Sequence, residues 1–237
     1  MNRKKCSAIV LAAGVGKRMQ SDVPKQYMLL EEKPLLYYAL NTFQESFVDE
    51  IILVTGSNEV EYCKNEIVEK YKLSKVKKIV PGGKERYHSV YEGLKAIEDC
   101  EYVFIHDGAR PFVDEEMLER AYEAVEQTGA CVIGVKAKDT IKIANESEMV
   151  DYTPNRNLVW QVQTPQVFKY QLIKEAHEIV MEKENILITD DAMVYETAFG
   201  KPVKLVEGKY ENIKITTPED MGIAATFLKK IKKGVDR

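Results

Sequence analysis

The stretch Cys6-Ser-Ala-Ile-Val-Leu-Ala-Ala-Gly-Val-Gly-Lys-Arg-Met19 runs an apolar segment straight into a glycine loop. Cys6–Ala12 reads as a buried strand, being short and apolar apart from Ser7. The small residues that follow let the backbone approach a ligand closely, and successive amides in such loops line phosphates. The loop is not a Walker A motif: no glycine stands five residues before Gly16, and Arg18 occupies the Ser/Thr position. Nor is it the dinucleotide fingerprint, because Met19 stands where the third glycine belongs. A tight strand-to-helix turn is the plain structural alternative. Arg18 and then Pro24-Lys25-Gln26 set two cations behind the glycines. That combination suits a triphosphate, whose α-phosphate gathers charge during displacement.

The same rhythm of strand and helix extends outward from this loop. Segments 51–55, 76–81, 102–106 and 130–135 read as further buried strands, and 34–47, 59–71, 89–97 and 114–126 carry helical periodicity. Alternation of this kind implies crossover connections and a mainly parallel sheet covered on both faces, an α/β class. The site then belongs at the carboxyl ends of the strands. Beyond residue 156 the pattern predicts strands at 166–168, 203–207 and 212–216. It predicts helices at 171–183 and 190–199, with Gly200 closing the second. A last helix starts at Thr217-Pro-Glu-Asp, where Thr suits the cap, Pro the first turn and the acids the dipole.

Residues 139–156 break the rhythm. Two polar, alternating runs, Thr140-Ile-Lys-Ile and Met149-Val-Asp-Tyr, flank Asn145-Glu-Ser-Glu and read as a β-hairpin. An isolated hairpin is marginal in water, so it needs a surface to lean on. The pattern leaves open whether that surface is a second copy of the chain or its own domain. Two further segments carry chemistry ahead of the hairpin. Pro81-Gly-Gly-Lys-Glu-Arg offers backbone close to a base edge. Phe104-Ile-His-Asp-Gly-Ala-Arg-Pro puts Asp107 at a strand end, where a hard carboxylate suits Mg²⁺. There Arg110 is placed to orient Asp107, and His106 reads as structural. Arg156, Thr164 and Lys214 are added by later segments and meet only through the fold. Asp190 and Asp191 read as helix caps.

Composition sets the outer bounds. The 237 residues hold 34 Lys and Arg against 38 Asp and Glu, a net charge of -4, which argues against a nucleic-acid partner. Four dispersed cysteines form no CxxC pair, so a structural zinc site is not expected and a reducing, cytoplasmic setting is. The apolar run 8–13 is too short for a membrane span. No internal repeat or low-complexity tract occurs, and one domain spanning 1–237, with 139–156 as an arm, accounts for the whole length.

Taken jointly, the motifs Ala-Ala-Gly-x-Gly-x-Arg-Met, Pro-Lys-Gln-Tyr, Gly-Gly-x-x-Arg-x-x-Ser-Val, His-Asp-x-Ala-Arg-Pro, Thr-Pro-Gln-x-Phe and Asn-Ile-Lys-Ile-Thr resemble the 2-C-methyl-D-erythritol 4-phosphate cytidylyltransferases, nearly end to end. The resemblance implies a Rossmann-like nucleotidyltransferase fold, CTP and a polyol phosphate as substrates, Mg²⁺ as cofactor, and a homodimer joined by β-arms. It implies that Arg18 and Lys25 stabilise the transition state. Arg156 and Lys214 would position the sugar phosphate, with Thr164 beside them. Thr140 and Arg156 would reach from the arm into the neighbouring subunit's site, and Asp107 would serve the magnesium. Ala12, Ala13, Gly14, Gly16, Gly83 and Ser89 would contact the nucleotide. Lys84 departs from an acidic residue found in some relatives, and Gly108 from a frequent alanine. Ribitol-5-phosphate cytidylyltransferases are the neighbouring alternative. They more often read Ala-Gly-Gly, Lys-Gln-Phe and Asp-Ala-Val-Arg-Pro where this chain has Ala12-Ala13-Gly14, Lys25-Gln26-Tyr27 and Asp107-Gly-Ala-Arg110-Pro. An NAD-dependent oxidoreductase and a nucleotide-binding regulator without turnover fit less well, given the missing third glycine and the set of cations.

Overall fold

The computed structural model describes residues 3–14, 23–183 and 187–235. In chain order it runs β1 (Cys6–Ala12), a short ribbon of β2 (Leu29–Leu30) and β3 (Lys33–Pro34), α1 (Leu35–Glu45), β4 (Glu50–Thr55), α2 (Val60–Tyr62), β5 (Val76–Pro81), α3 (Arg86–Ala96), β6 (Tyr102–Asp107), α4 (Glu115–Thr128) and β7 (Ala130–Lys136). It continues with the hairpin strands β8 (Ile143–Ala144) and β9 (Val150–Tyr152), then β10 (Trp160–Lys169), α5 (Tyr170–Met181), α6 (Asp191–Phe199), β11 (Lys204–Glu207) and α7 (Pro218–Val235). Seven strands make one sheet in the order β11-β7-β10-β6-β1-β4-β5. Neighbouring pairs are parallel except where β10 meets β6 and β7. The expected mainly parallel, helix-covered α/β sheet is therefore the fold.

Period-2 alternation with burial on both faces explains why these segments are strands. In β1, Ala8 and Val10 join the core beneath α1 and α4, while Ile9 joins the core beneath α3, α5 and α6. The same division repeats in β4, with Ile51 and Leu53 on one face and Ile52 and Val54 on the other, and in β6, with Phe104 opposed to Val103 and Ile105. Each such fully buried Val, Leu, Ile or Phe contributes about 1.5–3 kcal/mol relative to exposure. Cys6, Cys63, Cys100 and Cys131 are buried free thiols. No helix among the described residues is long and apolar enough to cross a membrane.

Four expectations are corrected. Segment 212–216 is not a strand. Its backbone is pinned as a loop by the buried side chain of Asn212, which donates to Thr164 O at 2.9 Å, and by Ile215 N donating to Ala109 O at 2.9 Å. β5 is half-buried because it is the sheet edge. The helix expected at 59–71 is one α-turn followed by π-helical Cys63–Glu69. β10 begins at Trp160, well before residue 166, and the polar residues Gln161, Gln163 and Thr164 that interrupt its first half hid it from an apolar-run criterion. Asp114 and Asp190 cap α4 and α6 by accepting from Met117 N and Met193 N, and Gly129 and Gly200 end those helices in the left-handed region.

The hairpin is present but stands away from the body of its own chain. Met149, Val150, Tyr152 and Leu158 are 55–77% exposed, so their apolar surface is not spent on the domain's core.

Candidate active site

The C-terminal ends of β1, β4 and β6 lie side by side, with Leu11 level with Asp107 and Ala12 level with Thr55. Because β10 runs the other way, its amino-terminal half comes to this same end of the sheet. A register shift between Val162 and Gln166 frees Thr164 from the ladder, and its Oγ1 accepts from Asp107 N at 3.0 Å. Thr164 also contacts Nδ1 of buried His106 at 3.0 Å, while Nε2 of that ring lies 3.0 Å from Arg110 O. Burial pushes the His106 pKa down to about 4, so the ring is neutral and wholly engaged, a structural role as expected.

Two cavities open here. One, of about 270 Å³, is lined by Ala12, Ala13, Gly14, Lys25, Gly83, Lys84, Arg86, Ser89, Asp107 and Lys214, among others. The other, of about 240 Å³, is lined by Arg86, Asp107, Arg110, Gln163, Thr164, Thr189, Asp190 and Lys214, among others. Arg86, Asp107 and Lys214 border both, so they form the wall between two chambers. A larger cavity of about 1030 Å³ lies between α1 and α7, and none of the expected site residues line it.

The wall is a network of charge. Lys214 Nζ lies 2.7 Å from Asp107 Oδ2, and Arg86 Nε lies 3.1 Å from Asp107 Oδ1. Burial opposes ionisation of Asp107, but Arg86, Lys214 and Arg110 more than offset it and hold the carboxyl well below its usual range. Arg86 Nη1 reaches back to Asp191 Oδ2 at 2.8 Å. Burial works against the Arg86 charge, yet the two carboxylates raise its affinity for the proton. Arg110 donates to Asn212 O at 2.8 Å, tying the loop that carries Lys214 to the end of β6.

The floor of the first chamber is built from close packing. A Cβ at Gly82 would fall 2.6 Å from Ala13 Cβ, and one at Gly83 would fall 2.5 Å from His88 Cβ, so glycine is needed to seat this turn. Gly82 N donates to Thr55 O at 2.8 Å and Gly83 N to Ser89 Oγ at 3.1 Å. Both amides are thus spent inside the turn and do not point donors into the chamber. Lys25 Nζ donates to Ile215 O at 3.1 Å, which sets it beside the Lys214 loop. Gln26 steadies that lysine's neighbour position by donating to Ala12 O at 2.7 Å.

Of the expected site residues, Ala12, Ala13, Gly14, Lys25, Gly83, Ser89, Asp107, Thr164 and Lys214 are brought together. Gly16 and Arg18 lie outside the described residues. Thr140 and Arg156 are exposed on the arm and line neither chamber; Arg156 Nη1 donates to Lys138 O at 2.8 Å. Sequence reasoning missed Arg86, Thr189 and Asp191, and gave Arg110 only the orienting of Asp107. Arg86 stood within the glycine motif, where its position at the first turn of α3 was the available signal.

The geometry has counterparts in known proteins. The family model for 2-C-methyl-D-erythritol 4-phosphate cytidylyltransferase matches residues 6–230. The chain belongs to that family. A relative of this name from Lachnospira eligens is 52% identical over 225 residues, covering 94% of this chain and 99% of its own length. Another from Lachnoclostridium phytofermentans is 48% identical over 227 residues, covering 96% of this chain and 97% of its own. Among solved structures, 4-diphosphocytidyl-2C-methyl-D-erythritol synthase from Anaerococcus prevotii superposes with a TM-score of 0.84 at 38% identity, covering 95% of this chain and 96% of that one. Family membership favours the methylerythritol reading over the ribitol alternative, and it makes the chain a nucleotidyltransferase.

Proposed function

We propose that the chain transfers the cytidylyl group of CTP to 2-C-methyl-D-erythritol 4-phosphate with release of pyrophosphate. The observation that carries this reading is the pair of chambers meeting at a wall of Arg86, Asp107 and Lys214. The first chamber, floored by the small residues of the β1 loop, takes the nucleotide. The second, with Arg110, Thr164 and Thr189, takes the acceptor. Lys214 borders both and bridges the attacking phosphate and the α-phosphate.

The acceptor supplies its own nucleophile. A phosphate monoester has a second pKa of about 6, so its oxygen is largely anionic at neutral pH. That oxygen attacks the α-phosphorus of CTP, a P–O bond forms, and the bond to the β-phosphate oxygen breaks with pyrophosphate leaving. No proton needs removing, which agrees with the engagement of both His106 nitrogens. Lys25 and Lys214 then act by holding the phosphates in line and by countering charge that grows at the α-phosphorus. Arg18 adds to that set by its place in the β1 loop motif. With the Gly82 and Gly83 amides engaged, reading of the base falls to carbonyl oxygens of the turn, which suit the 4-amino donor of cytosine.

Magnesium fits one feature of this wall. Mg²⁺ is commonly held by one or two carboxylates together with substrate phosphates, and Asp107 is an ionised carboxylate at the chamber boundary. Asp107 would hold the ion together with phosphate oxygens of CTP, and the ion would neutralise charge on the triphosphate.

The arm completes the reading. Its exposed apolar positions need cover, and a two-fold exchange between copies supplies it with identical surfaces. Thr140 and Arg156 then enter the acceptor chamber of the partner copy, where Arg156 grips the acceptor phosphate as a bidentate donor. The test is pyrophosphate release with CTP, ATP, GTP and UTP against 2-C-methyl-D-erythritol 4-phosphate and ribitol 5-phosphate. Turnover confined to CTP and the methylerythritol acceptor is expected. Equal turnover of ATP, or preference for ribitol 5-phosphate, would refute the assignment.

A further inference from the structure

Asp191 is the first residue of α6, one past the capping position, and its carboxylate does not cap the helix. Asp190 is the cap, accepting from Met193 N at 2.9 Å. The first-turn amides of Asp191 and Ala192 donate to Gln166 Oε1, each at 2.9 Å. The Asp191 carboxylate is left for another purpose. It is fully buried, 2.8 Å from Arg86 Nη1, with His177 Nε2 at 3.9 Å on its other side. His177 is no counter-ion: burial, with repulsion from Arg86 and His88, pushes its pKa down to about 3.

Such an arrangement is not explained by stability. A buried ion pair is seldom more stable than well-packed apolar residues of the same volume. It is explained by direction. The guanidinium is a rigid planar fork, and here its two ends serve two carboxylates, Nε on Asp107 and Nη1 on Asp191. Without the second carboxylate, Arg86 could swing toward the phosphates that enter the first chamber. With it, Arg86 is held back as a fixed prop.

We propose that Asp191 is a positioning residue for the transfer: it anchors Arg86, and Arg86 in turn fixes the Asp107 carboxylate on the wall that the two chambers share. Asp191 itself touches neither substrate. The proposal rests on the cytidylyl-transfer reading, because the alignment of Asp107 matters only if both chambers are filled at once.

The test is a double-mutant cycle of Asp191→Asn and Asp107→Asn, read by steady-state kinetics with CTP and the methylerythritol acceptor and by thermal melting. Asp191→Asn keeps the shape and removes the charge. It should lower kcat by about 10- to 100-fold, the scale on which small misplacements act, with the KM for CTP moving by less than about threefold. In the Asp107→Asn background the same substitution should cost less than about twofold in kcat, because the residue it acts through is already altered. Asp191→Glu, which restores the charge in a poorer shape, should recover part of the kcat. A lowered melting point with unchanged kcat would make Asp191 merely structural and overturn the proposal, as would losses that multiply in the double variant. If Asp191→Asn does not fold, Asp191→Ser enters the same cycle, and the same results support or overturn the proposal. Absence of wild-type turnover would sink the reading beneath and the proposal with it; wild-type turnover with multiplying losses would sink the proposal alone.

Discussion

Replacing Arg86 with Met leaves the Asp191 carboxylate with no room for water, since that residue has no exposed surface. The stem of Met fills much of the same volume, so the main loss is charge. Breaking a buried pair by removing one partner costs about 3–5 kcal/mol. The carboxylate has an escape, which sets a ceiling. It can bind a proton, or His177 at 3.9 Å can bind one and become its counter-ion. From an ordinary carboxyl pKa of 3.8, protonation at pH 7 spans 3.2 pH units and costs about 4.4 kcal/mol at 1.36 kcal/mol per unit. The destabilisation at pH 7 is therefore about 3–4 kcal/mol, or about 6–16 °C in Tm for a chain of 237 residues. Its pH dependence follows from linkage. The folded variant holds one proton that the unfolded chain lacks at neutral pH, so its stability relative to wild type rises as pH falls, by up to about 1.4 kcal/mol per unit, until burial, which raises the Asp191 pKa, protonates wild type as well. The effect vanishes below the unfolded carboxyl pKa, where both states are protonated. Urea unfolding of wild type and Arg86→Met at pH 5, 6 and 7 measures it. A stability difference that does not change between pH 5 and 7, or one under about 1 kcal/mol at pH 7, would refute the account of a buried, paired carboxylate.

Three further outcomes are expected. Lys25→Ala should lower kcat by about 100-fold or more with a smaller change in the KM for CTP, since its charge is realised as the α-phosphate becomes crowded; steady-state kinetics at saturating acceptor decides, and near-normal kcat contradicts the role. Mixing inactive Lys25→Ala protein with inactive Arg156→Ala protein should restore activity, because a heterodimer holds one site with both residues intact; no recovery, with subunit exchange confirmed by a mass-tagged copy, would place Arg156 in its own chain's site. The kcat/KM for the acceptor should rise through about pH 6, where the acceptor phosphate loses its second proton, and then stay level with no limb from His106; an acceptor analogue with a different second pKa should carry the rise with it, and a limb that stays fixed would point to an ionising group on the protein instead.

The parts of the site legible in sequence are those where local chemistry is decisive. Ala12-Ala13-Gly14 follows a strand whose apolar run is unmistakable, and Asp107 ends another, so both fall at the same edge of a parallel sheet as soon as the alternation of strand and helix is seen. Lys25 and Lys214 stand 189 positions apart in the chain, yet Lys25 Nζ reaches the carbonyl of Ile215 next to Lys214. No spacing rule encodes that contact; only the family motifs pointed to it. The failures have a common cause. Residues 212–216 carry a strand-like alternation, but Asn212 spends its amide on Thr164 and Gln163 and turns the segment into a loop. Asp191 has the composition and place of a helix cap, and its neighbour Asp190 took that role. In each case a polar side chain was committed to a partner distant in sequence, and the local pattern carried no trace of it. The cost of burying such groups unpaired makes the distant partner obligatory. This is why the missed residues belong together: Arg86 could be placed only once Asp107 and Asp191 were both known to lie within reach, and the wall between the chambers is made by that pairing rather than by any one segment.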